Sequence, residues 1–375
     1  LKEGQKEAGR GFGLREVLVL AQIALSFVAL IGAGLFVRSL GAATEIDLGF
    51  EPEWLVSLSF NVGASGYEPA QGRVFFDRVL ERAKTVPGVE SADLSTSVPM
   101  VAQDFFRSVF LEDAPEDDER NGQFTAVGTV TEDYFRTLGI ELEKGRAFDD
   151  RDHADATPVV VINEAMARQT WGVEDPIGRR FHFFGQEDTV REVIGVVENA
   201  KFFTVGEEPQ AITYMPRDQN YKDQMSLVAR VSGDPDSMLG TLRKELQTID
   251  PALAITNVQA VQEAVGQSLW AARMAAGLLG LLGLLALVLA AIGLYGVMST
   301  AVAQRGRELG IRMAMGADSA SVLGMVLRRG MLLALVGLAI GCVLALLASR
   351  GLEALLYGVS PSDLTTYVVT FVVLL

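Results

Sequence analysis

The chain has 375 residues, 49% of them apolar and 21% charged, with a formal charge of −15. Those figures exclude a wholly disordered chain and a basic nucleic-acid binder, so no nucleic-acid partner is expected. The acids form one block: residues 41–270 carry 20 Lys and Arg against 40 Asp and Glu, the remainder 12 against 7, and much of that remainder lies in apolar runs too long for a soluble core.

Residues 1–16 are a basic flank with Lys2, Lys6, Arg10 and Arg15. Val17–Val37 follows with 21 uncharged residues, which at about 1.5 Å per residue cross a hydrocarbon core of about 30 Å. A first transmembrane helix is predicted over 17–40, since the run exceeds the roughly 7–15 residues of a signal-peptide core.

Residues 41–270 read as an α+β domain of two subdomains. The pattern predicts a strand (Leu55–Val62), an amphipathic helix (Ala70–Thr85) with Val74, Phe75, Val79 and Leu80 on one face, and a strand after Pro87 and Gly88. A second β-α-β unit echoes it: Ser226–Val231, a helix Pro235–Gln247 ending before Asp250 and Pro251, and Leu253–Val258. Between them lies a β-rich piece with strands at Thr125–Thr131, at Thr157–Ile162 opening into a helix at Asn163, and at Arg191–Val197. Glu112–Glu119 reads as a solvated acidic hairpin tip.

Met274–Val302 supplies 29 uncharged residues, predicting a second span over 271–303 that tilts or protrudes toward the acidic domain as a stalk. A basic segment, 304–330, precedes a third span at 331–349; a loop at 350–363 leads to Leu364–Leu375, the start of a fourth. Arg305, Arg307, Arg312, Arg328 and Arg329, with the basic N-terminal flank, place both flanks in the cytoplasm and the 41–270 domain outside. The chain begins at Leu1 and ends within an apolar stretch, which reads as a segment of something longer. Gly337 and Gly341 form a GxxxG, and Gly277, Gly280 and Gly283, like Gly293 and Gly296, recur every three residues, favouring close helix packing.

Candidate chemistry is sparse. The dipeptide Gly-Lys is absent, so no phosphate-cradling loop of the GxxxxGK[ST] kind exists, and GxGxxG, HExxH and GxSxG are also missing. His153 and His182 are the only imidazoles, and Cys342 the only thiol. Asp149, Asp150, Asp152, His153 and Asp155 crowd one loop but lack the glycine and distal Glu of a calcium loop, so a plain acidic loop is expected. His182, between Phe181 and Phe183, reads as a strand residue. No enzymatic site, metal site or directly bound cofactor is expected. The uncharged runs Val17–Val37, Met274–Val302 and Met331–Ser349 carry no Asp, Glu, Lys, Arg or His that would mark an ion path.

The cytoplasmic segment is more specific. In Gln304–Asp318, Leu309, Arg312, Met313 and Gly316 lie at helical spacing, with Met315 one turn past Ile311. Arg307-Glu308-Leu309-Gly310-Ile311-Arg312-Met313-Ala314-Met315-Gly316-Ala317 resembles the REIGIRRALGA-type motif of MacB-like and FtsX-like ABC transporter permeases. Tyr134-Phe135 with Leu138-Gly139-Ile140, Gly145-Arg146, Val160-Val161-Ile162-Asn163-Glu164, Asp175-Pro176-Ile177-Gly178-Arg179-Arg180 and Val193-Ile194-Gly195-Val196-Val197 follow the order of the same family. Ala21–Ser26, Gly32–Leu40 and Leu48-Gly49-Phe50 resemble the opening of the second half of duplicated, ADOP-type permeases.

The resemblance implies a permease half of four helical spans in a bacterial inner membrane, with a MacB-type periplasmic domain between the first two. It implies a separate cytoplasmic ABC ATPase that uses the ATP and docks on Arg305, Arg307, Glu308, Leu309, Gly310, Ile311, Arg312, Met315 and Gly316. It also implies a second permease half, fused or as a homodimer, a periplasmic or outer-membrane partner, surrounding lipid, and mechanotransmission serving export. The alternative is FtsX-like signalling to an extracytoplasmic partner without transport. Met313 departs from the family's basic residue and leaves fewer charges to meet an ATPase.

Overall fold

A computed structural model describes residues 14–101, 106–112, 119–304, 319–351 and 356–374. The chain divides into two compact units, Leu1–Glu45 with Trp270–Leu375, and Ile46–Leu269. The first helix, α1 (Leu14–Ala43), belongs to the former, and the chain then enters the latter.

In the Ile46–Leu269 unit, β1 (Leu55–Asn61), α2 (Pro69–Lys84) and β2 (Val89–Ser95) make the first β-α-β unit. Pro69 opens α2, where its missing N–H costs nothing, and Glu68 with Gln71 forms a reciprocal capping box. Phe75, Phe76, Val79 and Ala83 are the buried stripe; Val74, expected on that face, is exposed.

The middle of the unit holds β3 (Phe106–Leu111), β4 (Gln123–Val130), α3 (Tyr134–Leu138), β5 (Leu142–Gly145), β6 (Val159–Asn163), α4 (Glu164–Trp171), β7 (Arg180–Phe183), β8 (Arg191–Val197) and β9 (Ile212–Pro216). Then come β10 (Gln224–Val231), α5 (Pro235–Ile249), β11 (Ile255–Ala260) and α6 (Val261–Ser268). The Asp234 side chain caps α5 by accepting from Ser237 N at 3.0 Å, and Leu239, Leu242 and Leu246 line its inner face.

The two β-α-β units interleave. Strand order β11-β1-β10-β2, antiparallel throughout, is the split β-α-β arrangement of a ferredoxin-like sheet, with α2 and α5 packed against it. Ser59 on β1 faces Ser226 on β10, and their hydroxyls meet at 2.8 Å.

Six of the seven remaining strands close on themselves, and β5 pairs with β8 off that path. The order β4-β3-β7-β8-β6-β9 returns to its start because β9 also pairs in parallel with β4, giving a six-stranded mixed barrel. Val109, Val127, Val160, Ile162, Phe181, Phe183, Val193 and Met215 draw on all six strands and fill its interior. On the other face of β4, β6 and β9, Ala126, Val159, Val161, Ile212 and Tyr214 pack with Tyr134, Phe135 and Leu138 of α3. The ferredoxin-like strands and the barrel are two ends of one connected sheet, joined between β2 and β4 by the single pairing Ser95 with Val130.

The helical unit continues with α7 (Trp270–Gln304), α8 (Ser319–Gly351) and α9 (Leu364–Leu374). Among the described residues, three helices are long and apolar enough to cross a membrane, within α1, α7 and α8; α9 is a shorter apolar helix. Residues 319–330 form the first turns of α8, and the stretch of it apolar enough to cross a membrane begins at Gly330. The reason is physical: Arg328 and Arg329 mark where a span meets water, yet arginine is a good helix former and does not end a helix.

Candidate functional site

Within the helical unit, α1 packs against α7, α8 and α9, and small residues set how closely they approach. A Cβ on Gly337 of α8 would lie 2.9 Å from Cβ of Ile23, and one on Gly341 would lie 2.9 Å from Cβ of Phe27 and 3.1 Å from the backbone of Ala24. The GxxxG therefore lies against α1 of the same chain. On α7, a Cβ at Gly283 would lie 2.9 Å from Leu30 and one at Gly293 2.9 Å from Val19, while Gly277 and Gly296 face open space. The Ser26 hydroxyl donates to the Gly283 carbonyl at 3.1 Å, a bond that draws α1 and α7 together.

One end of the bundle is pinned by polar groups. Arg38 of α1 pairs with Asp363, whose carboxylate also caps α9 by accepting from Thr366 N at 2.8 Å. The Ser39 hydroxyl accepts from Tyr357 N at 2.6 Å. The hydrogen bonds from Thr366 and then Arg38 hold the Asp363 carboxyl below its ordinary range.

The predicted ATPase-docking residues Arg305, Arg307, Glu308, Leu309, Gly310, Ile311, Arg312, Met315 and Gly316 lie outside the described residues, between α7 and α8. Residues 113–118 of the acidic run also lie outside them, between the antiparallel partners β3 and β4.

The Ile46–Leu269 unit has a cleft of about 210 Å³ with acidic walls: Asp93, Glu132, Asp133, Asp150 and Asp218, set against Lys84 and Arg217. The five-residue acidic loop contributes to it, and two of its carboxylates are neutralised by arginine. Arg146 grips Asp152 with both amino groups at 2.7 Å, and Arg151 holds Asp149 at 2.6 Å. Among the described residues no group of three or more His, Cys, Asp or Glu is placed to hold a metal ion. His182 is a buried strand residue stacked on Phe110 at 6.0 Å between ring centroids.

Asp93 is the cleft residue that sequence patterns miss. Its register opposite Val228 of β10 buries it to 1% exposure, where Thr131 donates to Oδ1 at 2.9 Å and Thr137 donates to Oδ2. Burial outweighs those bonds and pushes its carboxyl up from 3.8 to about 6. Burial, then the neighbouring Asp150, also raises Glu132. Asp93 thereby ties β2 to the β4–α3 corner beside the single-residue sheet junction.

Comparison with known proteins is consistent along the chain. Residues 17–265 match the MacB-like periplasmic core domain, and residues 280–375 the FtsX-like permease C-terminal region. The macrolide export ATP-binding/permease protein MacB of Neisseria meningitidis is 24% identical over 332 residues, 86% of this chain and 50% of that protein. Its counterpart in Agrobacterium fabrum is 24% identical over 348 residues, 90% of this chain and 51% of that protein. The chain thus spans about half the length of these relatives. Among solved structures, the periplasmic region of MacB from Actinobacillus actinomycetemcomitans aligns at 16% identity and a TM-score of 0.38, over 56% of this chain and 90% of that one. The extracellular domain of the Gram-positive transporter YknZ aligns at 17% identity and a TM-score of 0.37, over 54% and 100%. With the first match alone covering more than half of its residues, this chain belongs to the permeases that carry a MacB-like periplasmic core domain and an FtsX-like C-terminal region.

Proposed function

We propose that the chain is the permease part of an ABC transporter and passes force from a cytoplasmic ATPase to its extracytoplasmic domain, serving export. The observation that carries this reading is α7: 35 residues of uninterrupted helix, about 52 Å long, separated from α6 by Leu269 alone and ending at Gln304, next to the predicted docking segment. A helix that outlasts the bilayer and contains no proline transmits axial displacement with little loss. ATP-driven closure of the partner would push on residues 305–317, and α7 would carry the movement outward. With no Gly-Lys dipeptide in these residues, ATP binding is assigned to other polypeptide sequence.

In this reading α9 is the beginning of a fourth span, and a second permease half, fused or separate, completes the transporter. The membrane is the bacterial inner membrane, with the Ile46–Leu269 unit in the periplasm, where a periplasmic or outer-membrane partner engages it. Arg307 and Glu308 provide the test. The parent protein is purified from native membranes, associated ATPase activity is measured, and bound proteins are identified by mass. An ATPase that co-purifies with the natural sequence and is lost on Arg307→Glu with Glu308→Arg supports the reading. Full retention in that variant, or an intact protein with no ATPase, refutes it. An ATPase-bound protein on which no substrate flux depends would assign it instead to signalling.

A further inference from the structure

Arg107 of β3 and Arg191 of β8 meet over one aromatic ring at the barrel rim. Their guanidinium carbons stand 5.7 Å and 4.7 Å from the ring centroid of Phe183. Register explains the meeting. Side chains alternate along a strand, so Arg107 shares the face of Val109, which pairs with Phe183, and Arg191 lies opposite Phe181. Val109, Phe181 and Phe183 belong to the barrel interior, so both arginines stand at the edge of a packed apolar core.

Neither has a carboxylate partner among the described residues. Arg191 donates only to neutral acceptors, the Thr189 carbonyl at 2.9 Å and Gln186 Oε1 at 2.8 Å, and Arg107 makes its contact with the ring. Their neighbours behave otherwise. Arg180, exposed on the adjoining strand, stands 3.5 Å from Glu192, and the largely buried Arg217 holds Asp77 at 2.7 Å. In a region with two acids for every base, an uncompensated pair of half-buried guanidinium groups is an exception. Burial and the charge of Arg107 push Arg191 down to about 10. Partial desolvation without a counter-charge is costly, and a guanidinium regains that cost most fully from a planar or tetrahedral oxyanion.

The geometry points to an anion site at the barrel rim, in which Arg107 and Arg191, seated on Phe183, bind the carboxylate or phosphate group of a small soluble molecule. Two like charges that repel in the empty site become two donors to one acceptor when it is filled. This inference is independent of the transporter reading, because it uses only the barrel.

The test uses the full chain in uncharged detergent, with unfolding of the barrel followed by tryptophan fluorescence. Inorganic phosphate and succinate are titrated separately at ionic strength held constant with chloride. The expected result is a saturable rise in Tm with at least one of them, which also identifies the oxyanion. The apparent affinity should fall at least about tenfold in Arg107→Gln, which breaks no hydrogen bond, and in Arg191→Gln, and stay unchanged in Arg180→Gln. Arg107→Glu is the second arm: it supplies a built-in counter-ion to Arg191, so Tm without ligand should rise while the anion response disappears. A response to both anions no larger than to chloride overturns the site. So does saturable binding that survives in both Arg107→Gln and Arg107→Glu.

Discussion

Replacing Asp93 with Asn should stabilise the extracytoplasmic domain at neutral pH, although it removes a charged group held by two hydroxyl donors. Burial raises the folded-state pKa from 3.8 to about 6, so the native structure favours the protonated form. The ionised carboxylate therefore costs stability at every pH above about 6, and the cost fades as pH falls through 6 toward the unfolded value. A pKa raised by about 2, at about 1.36 kcal/mol for each whole step in pH, puts the cost at about 3 kcal/mol at pH 7.5 and about half that at pH 5. Asn cannot ionise, so Asp93→Asn should be more stable than the natural protein at pH 7.5 by up to about 3 kcal/mol, with the gap narrowing by about 1.4 kcal/mol at pH 5. Urea unfolding of the chain in detergent, followed by tryptophan fluorescence at the two pH values, measures this difference. A variant less stable than the natural protein by the same amount at both pH values would refute the reasoning. It would mean that the donors from Thr131 and Thr137 outweigh desolvation and that the carboxylate is ionised at no cost.

Three further perturbations read other parts of the structure. Gly341→Val drives side-chain atoms into Phe27 and the Ala24 backbone and should cost about 1–3 kcal/mol, whereas Gly296→Ala, in open space, should be neutral; thermal aggregation of the two variants in detergent compares them. Arg146→Met leaves Asp152, 5% exposed, without its bidentate partner and should lower domain stability by about 2 kcal/mol, discounted from a fully buried pair because Arg146 is one-third exposed; urea unfolding at neutral pH checks it. Asn163→Ala removes an acceptor shared by Met166 N at 3.0 Å and Ile212 N at 2.9 Å, and a donor to the Gln210 carbonyl. It should cost about 2–4 kcal/mol and accelerate amide exchange at Met166 and Ile212.

Local chemistry was readable where several signals coincided. Asp234-Pro235 and the leucines at 239, 242 and 246 specify the start and inner face of α5, Asn163 the start of α4, and the alternation around His182 its strand. Pairing between distant segments was not readable. Ile212–Pro216 is a five-residue strand whose parallel partner, β4, lies some 80 residues earlier, so no periodicity in either announces that the barrel closes. Leu142–Gly145 is exposed throughout and carries no apolar alternation to mark a strand. Asp93 and the Arg107–Arg191 pair owe their character to register: each is an ordinary charged residue in sequence until its strand is placed. The docking segment is the reverse case, its spacing and charge being sharp in sequence while its residues lie outside those described.

The position of β1 bears on how the protein is made. It pairs with β10 and β11, so after the ribosome has produced Asn61 roughly 160 residues must follow before the first partner strand begins at Gln224. At about 5–20 residues per second, a strand with Leu55, Val56, Leu58 and Phe60 waits on the order of 8–30 s with both edges open. If this unit is threaded across the membrane during synthesis, that wait takes place on the far side, among other unfolded chains. β1, an inner strand of the β11-β1-β10-β2 part of the sheet, is thus open to aggregation during biogenesis, and secretion yield should depend on holdase capacity outside the cell's cytoplasm more than on the stability of the finished fold.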